Sequence, residues 1–420
     1  MNAMENTLSL PAASGRKTLP RSARAVLALL EGIEHGRLEV RLPDGSTPCF
    51  GQVAAGQRAA VLEVAEWSVF DQVLERGDVG FAEAWIDGDW HSPDLTALLT
   101  LLAENRQALS RAVYGHWWGL LSARLRHLLN ANTRSGARRN IMAHYDLGND
   151  FYGQWLDPTM SYSSALYSTD APRSMAAAQR AKYRRILHRL DARPGQRVLE
   201  IGCGWGAFAE TAAREAGLQV VGLTLSPAQY EFARRRMLLA GVGQQVQIEL
   251  RDYRDLLGAQ CDQPFDQQFD HIVSIEMFEA VGERWWPTYF NALQQLLAPG
   301  GRAVVQSITI ADELFARYRR GTDFIQQHVF PGGMLPSPSV FGQRAASAGL
   351  AVADAFAFGR DYSRTLAEWS ANFERHWPAI EAQGFDERFR RLWRFYLAYC
   401  QAGFNSGATD VMQFELAHAR

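Results

Sequence analysis

Short apolar runs rich in Val and Ile alternate with amphipathic stretches through the later two-thirds of the chain. Arg197–Ile201, Gln219–Leu223, Val246–Leu250, His271–Ile275, Arg302–Ile308, Leu350–Ala357 and Val411–Ala417 read as strands. Ala207–Glu215, Pro227–Ala240 and Glu283–Leu297 carry apolar residues at helical spacing, and Thr365–Gln383 and Phe385–Phe404 predict two long helices near the end. Such alternation predicts an α/β fold with a parallel, doubly wound sheet. The earlier pattern differs. Arg37–Val64 alternates apolar and polar positions around Pro43-Asp44-Gly45, Gly51 and Gly56, which predicts a short antiparallel sheet. Helical patterns follow near Trp67–Arg76, Gly80–Ile86 and Asp94–Arg106, with Ser92 and Asp94 as N-cap candidates. Residues 1–25 then read as a leader, 26–130 as a small α+β domain, the turn-rich 131–140 as a linker and 141–420 as the larger domain.

Composition narrows the class. A chain of 420 residues exceeds one ordinary core, and 47% hydrophobic with 21% charged residues is a globular balance. No apolar run approaches the ~18 residues that a membrane span needs, and the N-terminus lacks the basic-then-apolar layout of a secretory signal. Cys49, Cys203, Cys261 and Cys400 form no CxxC pair, so neither a metal site nor a disulfide framework is indicated and a cytoplasmic location fits. A net charge of −2 gives no field that draws the chain to nucleic acid. Of 43 basic residues only Lys17 and Lys182 are lysines. Arginine grips phosphate bidentately, though a coding bias is the plainer explanation.

The strongest local motif is Val198-Leu-Glu-Ile-Gly-Cys-Gly-Trp-Gly-Ala207, where a strand runs into Gly202, Gly204 and Gly206 and a helix begins. Glycines there let the backbone turn tightly and approach a ligand that faces the helix N–H groups. The spacing is GxGxG, not the GxGxxG of dinucleotide sites, and Glu200 stands two residues before the first glycine. A carboxylate there faces the positive end of a ligand that carries a sulfonium and an amino acid. The pattern resembles motif I of class I methyltransferases, which makes Glu200, Gly202, Cys203, Gly204 and Gly206 candidate contacts for S-adenosylmethionine. The next strand ends in Gly222-Leu-Thr-Leu-Ser-Pro-Ala-Gln229, without the ribose-binding acid that most methyltransferases place there. Thr224, Leu225, Ser226 and Gln229 are the candidates instead, although Ser226 before Pro227 equally suits a helix N-cap. Asp252 and Tyr253 end the third strand, where an acid accepts from the adenine amine.

A series of strings in order carries a more specific resemblance. They are His144-Tyr-Asp-Leu-Gly-Asn-Asp150, Trp155-Leu-Asp-Pro-Thr-Met-Ser-Tyr-Ser-Ser-Ala165, the glycine loop, the segment Leu223–Gln229, Arg251-Asp-Tyr-Arg-Asp255, Ser274-Ile-Glu-Met-Phe-Glu-Ala-Val-Gly282 and Phe330-Pro-Gly-Gly-Met-Leu-Pro336. Over residues 138–405 the chain resembles the cyclopropane-fatty-acyl-phospholipid synthase family, and residues 26–130 are similar to the N-terminal lipid-associating domain of many members. The resemblance implies methyl transfer from S-adenosylmethionine to a cis double bond in a membrane phospholipid. The carbocation then loses a proton to a protein-held bicarbonate ion and a cyclopropane ring closes. It also implies peripheral association with the inner face of the membrane and a homodimer.

The residue types suit that chemistry. A weakly nucleophilic alkene needs its electrophile held in near-attack geometry. A carbocation needs a water-free pocket with aromatic faces, and a modest base must sit beside the methyl group. The resemblance assigns Glu279 to orienting bicarbonate, Ile308 to a backbone contact with the ion, and Tyr362 to donating its hydroxyl. Tyr162 and Ser163 line the methyl donor. Cys400 matches a cysteine often marked at the active site, but a helical Cys between apolar neighbours is more often packing, so it is read as lining. Three departures stand out: Gln306 and Ala280 where members have histidine, and Ser164 where they have cysteine. Glutamine donates a hydrogen bond but does not titrate. These changes resemble a subgroup with plant cyclopropane synthases and bacterial fatty-acid C-methyltransferases, so proton loss from a chain carbon, giving a methyl- or methylene-branched chain, stands beside ring closure.

Other readings compete. Trp285, Trp286, Tyr289 and Phe290 suit a packed helix face. His144 and Tyr145 are expected to close over the donor. Arg317, Arg319 and Arg320 form either a phosphate contact or a solvated face, and Arg388–Arg394 reads as a membrane-facing stripe or an ordinary surface helix. A non-catalytic lipid-binding protein would be expected to have lost Glu200, a loop glycine or Glu279, and all are intact.

Overall fold

The computed structural model describes residues 19–52, 59–109, 147–167, 174–257 and 268–419. His144, Tyr145, Cys261 and the linker 131–140 lie outside the described residues.

The N-terminal unit begins earlier than expected. Helix α1 (Arg21–Leu30) starts inside the stretch read as leader, because Ala23, Val26, Leu27 and Leu30 recur at helical spacing and bury one face. Strands β1 (Arg37–Arg41), β2 (Cys49–Gly51), β3 (Ala60–Val64) and β4 (Trp90–His91) form one sheet in the order β2-β1-β3-β4. The expected antiparallel pairing holds for β1 with β2 and for β3 with β4, but β1 and β3 run parallel. Helix α2 (Ser68–Asp87) is broken at Gly77, whose φ of 61° and ψ of −133° only glycine adopts readily, so it consists of the two helices expected there, set end to end across a kink. In α3 (Leu95–Glu104) the Asp94 carboxylate accepts from Ala97 N at 2.9 Å, as its N-cap role predicts.

The larger domain is a seven-stranded sheet. After α4 (Asn149–Trp155) and α5 (Met175–Leu190) come β5 (Arg197–Ile201), α6 (Ala207–Ala216), β6 (Gln219–Thr224), α7 (Pro227–Leu239), β7 (Val246–Leu250) and β8 (Phe269–Ile275). Then follow α8 (Trp286–Leu296), β9 (Leu297–Ile310), α9 (Asp312–Tyr318), α10 (Phe324–His328), α11 (Pro338–Ser347) and β10 (Leu350–Ala357). The chain closes with α12 (Gly359–Arg375), α13 (Trp377–Glu381), α14 (Glu387–Asn405) and β11 (Thr409–His418). The order is β10-β11-β9-β8-β5-β6-β7. The doubly wound core is parallel, whereas β11 runs antiparallel to both neighbours. Strand β5 at the centre is buried except at its first residue, which is why it reads as a continuous apolar run. Trp286, Tyr289 and Phe290 are fully buried, the packed face expected of them.

The two units share one hydrophobic core. Helix α14 packs against α2 and α3. Trp85 Nε1 donates to the Arg391 carbonyl at 2.9 Å, the Arg391 guanidinium lies 4.5 Å from the Trp85 ring, and its Nε donates to the Trp85 carbonyl. Arg388 pairs with Asp87, and Arg390 and Arg394 with Glu374. The stripe read as facing solvent or a membrane thus lies at the surface, with Arg388 63% exposed, while its ion pairs and the Arg391 contacts also join α14 to the N-terminal unit and to α12.

Candidate active site

A cavity of ≈350 Å³ opens at the C-terminal edge of β5, β6, β8 and β9, where ligands bind in doubly wound sheets. The glycine loop forms one wall. Gly202, Gly204 and Gly206 have φ of 83°, 52° and 82°. A Cβ on Gly202 would lie 2.7 Å from Met277 Cγ, whereas one on Gly204 would meet no atom. Gly206 departs from its expected contact role: it N-caps α6 behind the loop, with Met237 Cε 2.9 Å from where its Cβ would be.

Glu200 is 2% exposed, and its Oε2 has no hydrogen-bond partner in the protein. Burial holds its carboxyl well above the usual range. Together with open space at Gly204 and the adjoining Tyr162, Ser163 and Cys203, this is a cradle with an unmet need for a cationic, donor-bearing ligand. Thr224 Oγ1 donates to Gln229 Oε1 at 2.9 Å, and Leu225 lines the cavity beside them. Ser226 takes its other predicted role, capping α7 by accepting from Gln229 N. Asp252 and Tyr253 line the far wall, but the Asp252 carboxylate is also gripped by the Arg254 guanidinium at 2.5 and 2.9 Å. The residues present fit S-adenosylmethionine, with Glu200 toward its charged end and Asp252 toward its base.

The reacting end holds two carboxylates rather than the one expected. Glu279 Oε1 accepts from the Ile308 N–H and from Ser307 Oγ at 3.2 Å, and its Oε2 has no partner. Desolvation, followed by the nearby Glu276, pushes Glu279 up to about 8. Glu276 was not singled out from the sequence. Its Oε1 accepts from Ser164 N at 2.9 Å and Gln306 Nε2 at 2.7 Å, and its Oε2 from the Tyr362 hydroxyl at 2.6 Å. Tyr362 is a position that the resemblance assigns to bicarbonate, Gln306 and Ser164 are two of the departures, and here all three hold a carboxylate that the chain supplies itself. Glu276 also sits at φ 49°, a costly conformation for a residue with a side chain, of the kind retained where a site requires it. Desolvation raises its carboxyl too.

Behind this pair lies Lys182, one of two lysines in the chain and 0% exposed. Its Nζ donates to Ser163 Oγ at 2.5 Å. Desolvation lowers it to about 8, against the pull of Glu276, Asp157 and Glu200. Gln306 is buried at 0%, and its Oε1 accepts from Gln413 Nε2 at 2.9 Å, so both ends of the amide are engaged. Aromatic faces complete the enclosure. Tyr162 and Tyr396 join hydroxyls at 2.7 Å, Tyr362 stacks on Phe404 with centroids 4.5 Å apart, and Phe330 lies between Tyr162 and Tyr396. Cys400 lines the cavity, and desolvation pushes its thiol up, which keeps it protonated and agrees with a lining role. Sequence signals for the missed residues existed: Glu276 lies within a quoted string, and Lys182 was an oddity of composition.

A doubly wound sheet whose first glycine loop, preceded by a buried acid with one oxygen left without a partner, faces an aromatic cavity defines a class I S-adenosylmethionine-dependent methyltransferase. Within that class, the family described as mycolic acid cyclopropane synthetase matches residues 132–414, and the chain belongs to it. It is 40% identical to the tuberculostearic acid methyltransferase UfaA1 of Mycobacterium tuberculosis over 82% of this chain and 80% of that one. It is 34% identical to the cyclopropane-fatty-acyl-phospholipid synthase of Escherichia coli over 87% and 89%. The solved mycolic acid cyclopropane synthase CmaA1, complexed with SAH and CTAB, superposes with a TM-score of 0.60 at 32% identity, covering 66% of this chain and 97% of that one.

Proposed function

We propose that this methyltransferase alkylates the cis double bond of an unsaturated phospholipid acyl chain and closes a cyclopropane ring, with Glu276 taking the proton. The observation that carries the reading is the Glu276 carboxylate, fixed by Ser164, Gln306 and Tyr362 and set among aromatic faces. The names of the Escherichia coli and CmaA1 relatives support the reaction class. S-adenosylmethionine supplies an electrophilic methyl group. The alkene π pair forms a bond to that carbon as the sulfur–carbon bond breaks toward sulfur, leaving a cation on the second alkene carbon. Tyr162, Phe330, Tyr362 and Tyr396 face it without reacting. A carboxylate removes a proton from the new methyl group, and the freed C–H pair closes the ring.

Bicarbonate, the acceptor expected from the resemblance, is displaced in this reading. Its assigned donor Tyr362 is committed to Glu276 together with Gln306 and Ser164, and a further anion would have to be buried beside two carboxyl groups. Branched-chain formation is a second reading, favoured by the 40% identity to a methyltransferase named for tuberculostearic acid. It differs by a 1,2-hydride shift that moves the cation onto the methyl-bearing carbon, after which the base removes a methyl proton and the freed pair forms the exomethylene double bond. Mass spectrometry and proton NMR of monounsaturated phospholipid vesicles treated with the enzyme separate them. A gain of one CH₂ with upfield ring protons supports the synthase, and the same gain with vinylidene protons supports the branched product. No gain sinks both. Turnover unchanged between bicarbonate-depleted and bicarbonate-supplemented buffer supports Glu276 as acceptor, whereas strict dependence on the ion refutes it.

A further inference from the structure

A second cavity, of ≈380 Å³, lies between the N-terminal unit and the catalytic domain. Its N-terminal wall is aliphatic, built from residues such as Leu38, Leu62, Val73 and Leu99, each under 10% exposed. The opposite wall comes from α9 and α14. The two cavities are continuous in their lining, since Tyr318, Asp323, Tyr399 and Gly403 face both. Protein interiors are close-packed, and an apolar void of this size in a shared core is costly. Helix α2 is broken at Gly77 where it meets this space, so the fold keeps the cavity rather than closing it with a regular helix. The family match starts at residue 132, and CmaA1 covers 66% of this chain. The N-terminal wall thus lies outside the catalytic part matched at residues 132–414, in the region that CmaA1 lacks and the longer Escherichia coli and UfaA1 relatives extend into.

We propose that this cavity binds the methyl-end segment of the acyl chain whose double bond lies beside Glu276, so that the N-terminal unit measures the length of chain beyond the reacting carbons. The inference rests on the alkene reading above. A hydrocarbon end carries no polar group and matches the aliphatic part of the wall, which is its larger part although Glu75, Arg76 and Arg106 also line the cavity. The polar junction at Asp78, Asp323 and Tyr399, where the Tyr399 hydroxyl donates to Asp78 at 3.1 Å, forms a collar between reaction centre and tail. The tail comes from a bilayer that is already hydrocarbon, so each methylene gains only the closer packing of a shaped protein wall over fluid lipid, worth about twofold in affinity. Four further methylenes in the tail therefore give about tenfold.

The test uses the full chain and phosphatidylglycerol vesicles with cis-Δ9 acyl chains of fourteen, sixteen and eighteen carbons. Here kcat/KM for the wild type rises about tenfold from the shortest to the longest. In Val73→Trp and Leu99→Trp, which fill the cavity, that ratio collapses about tenfold while S-adenosylmethionine affinity and melting temperature hold. Leu99→Ala, which enlarges the cavity, moves the optimum to a longer tail and keeps the question answerable if the tryptophan variants do not fold. Variants that fold and bind the donor yet lose activity equally on all three lipids, or keep the wild-type ratio, overturn the proposal. If the wild type alkylates none of these lipids, the alkene reading falls first and this inference with it.

Discussion

At the residue scale the site turns on two carboxylates and one lysine. Glu276→Gln keeps the shape and the hydrogen-bond partners but removes the proton acceptor. Turnover is expected to fall about 10²–10⁴-fold, the usual contribution of general-base catalysis, with S-adenosylmethionine affinity nearly unchanged by calorimetry. A parallel loss of donor affinity would instead make Glu276 part of the donor site. Glu279→Gln is expected to lose most turnover and retain donor binding as well. The pH profile follows from the sign of the shifts. Glu279 is pushed up to about 8 and Glu276 is raised in the same direction, so the pair gains its full negative charge only as pH rises. The kcat is expected to climb through neutrality toward that range. Lys182 holds Glu276 down from a still higher value, so Lys182→Met should move the rising limb to higher pH; an unmoved limb with normal folding would remove Lys182 from the electrostatics of the site. Arginine is no substitute there, because a planar guanidinium does not fit the space of an ammonium held by Ser163.

Elements place those residues, and they were unevenly legible in the sequence. The strands of the parallel core announced themselves as apolar runs, and β5 with its glycine loop put Glu200 and Gly204 where the motif said. Interactions between elements were hidden. Glu276 and Gln306 lie on adjacent strand ends, and neither periodicity nor spacing reveals that one would donate to the other. The parallel pairing of β1 with β3, the antiparallel β11 and the ion pairs that Arg388–Arg394 makes with other elements depend on tertiary contacts that no local pattern encodes. Strand β11 has a consequence for the site, because it carries Gln413, which donates to Gln306. Gln306→His strains this chain in the middle: a neutral imidazole still offers one acceptor and one donor, but on ring nitrogens that are placed and angled differently from the amide oxygen and nitrogen. Activity is expected to drop about tenfold or more yet stay measurable, since Ser164 and Tyr362 still hold Glu276. Wild-type kinetics in the variant would show that the Gln413–Gln306–Glu276 chain contributes nothing to catalysis.

For the whole molecule, the shared core means that the N-terminal unit and the catalytic domain are expected to unfold together, and the buried acids at their junction make that stability depend on pH. Asp78 is pushed up to about 7, first by desolvation and then by Asp323 across the junction, and Asp323 itself to about 6. An unfolded aspartate titrates near ~3.9. Between about pH 4 and pH 7 the folded state therefore binds more protons than the unfolded chain, and stability falls as pH rises through that window. The contribution is fully present below the unfolded value and is lost once pH passes the folded one. Asp78→Asn removes the titration while its amide oxygen still accepts from Tyr399. Thermal unfolding of the variant should nearly match the wild type at about pH 4–5, then show a melting temperature increasingly above it up to about pH 8, and level off beyond. A gain that is constant across pH would mean that Asp78 acts through packing alone. A gain that shrinks as pH rises would reverse the sign and show that the junction is stabilised by the ionised carboxylate.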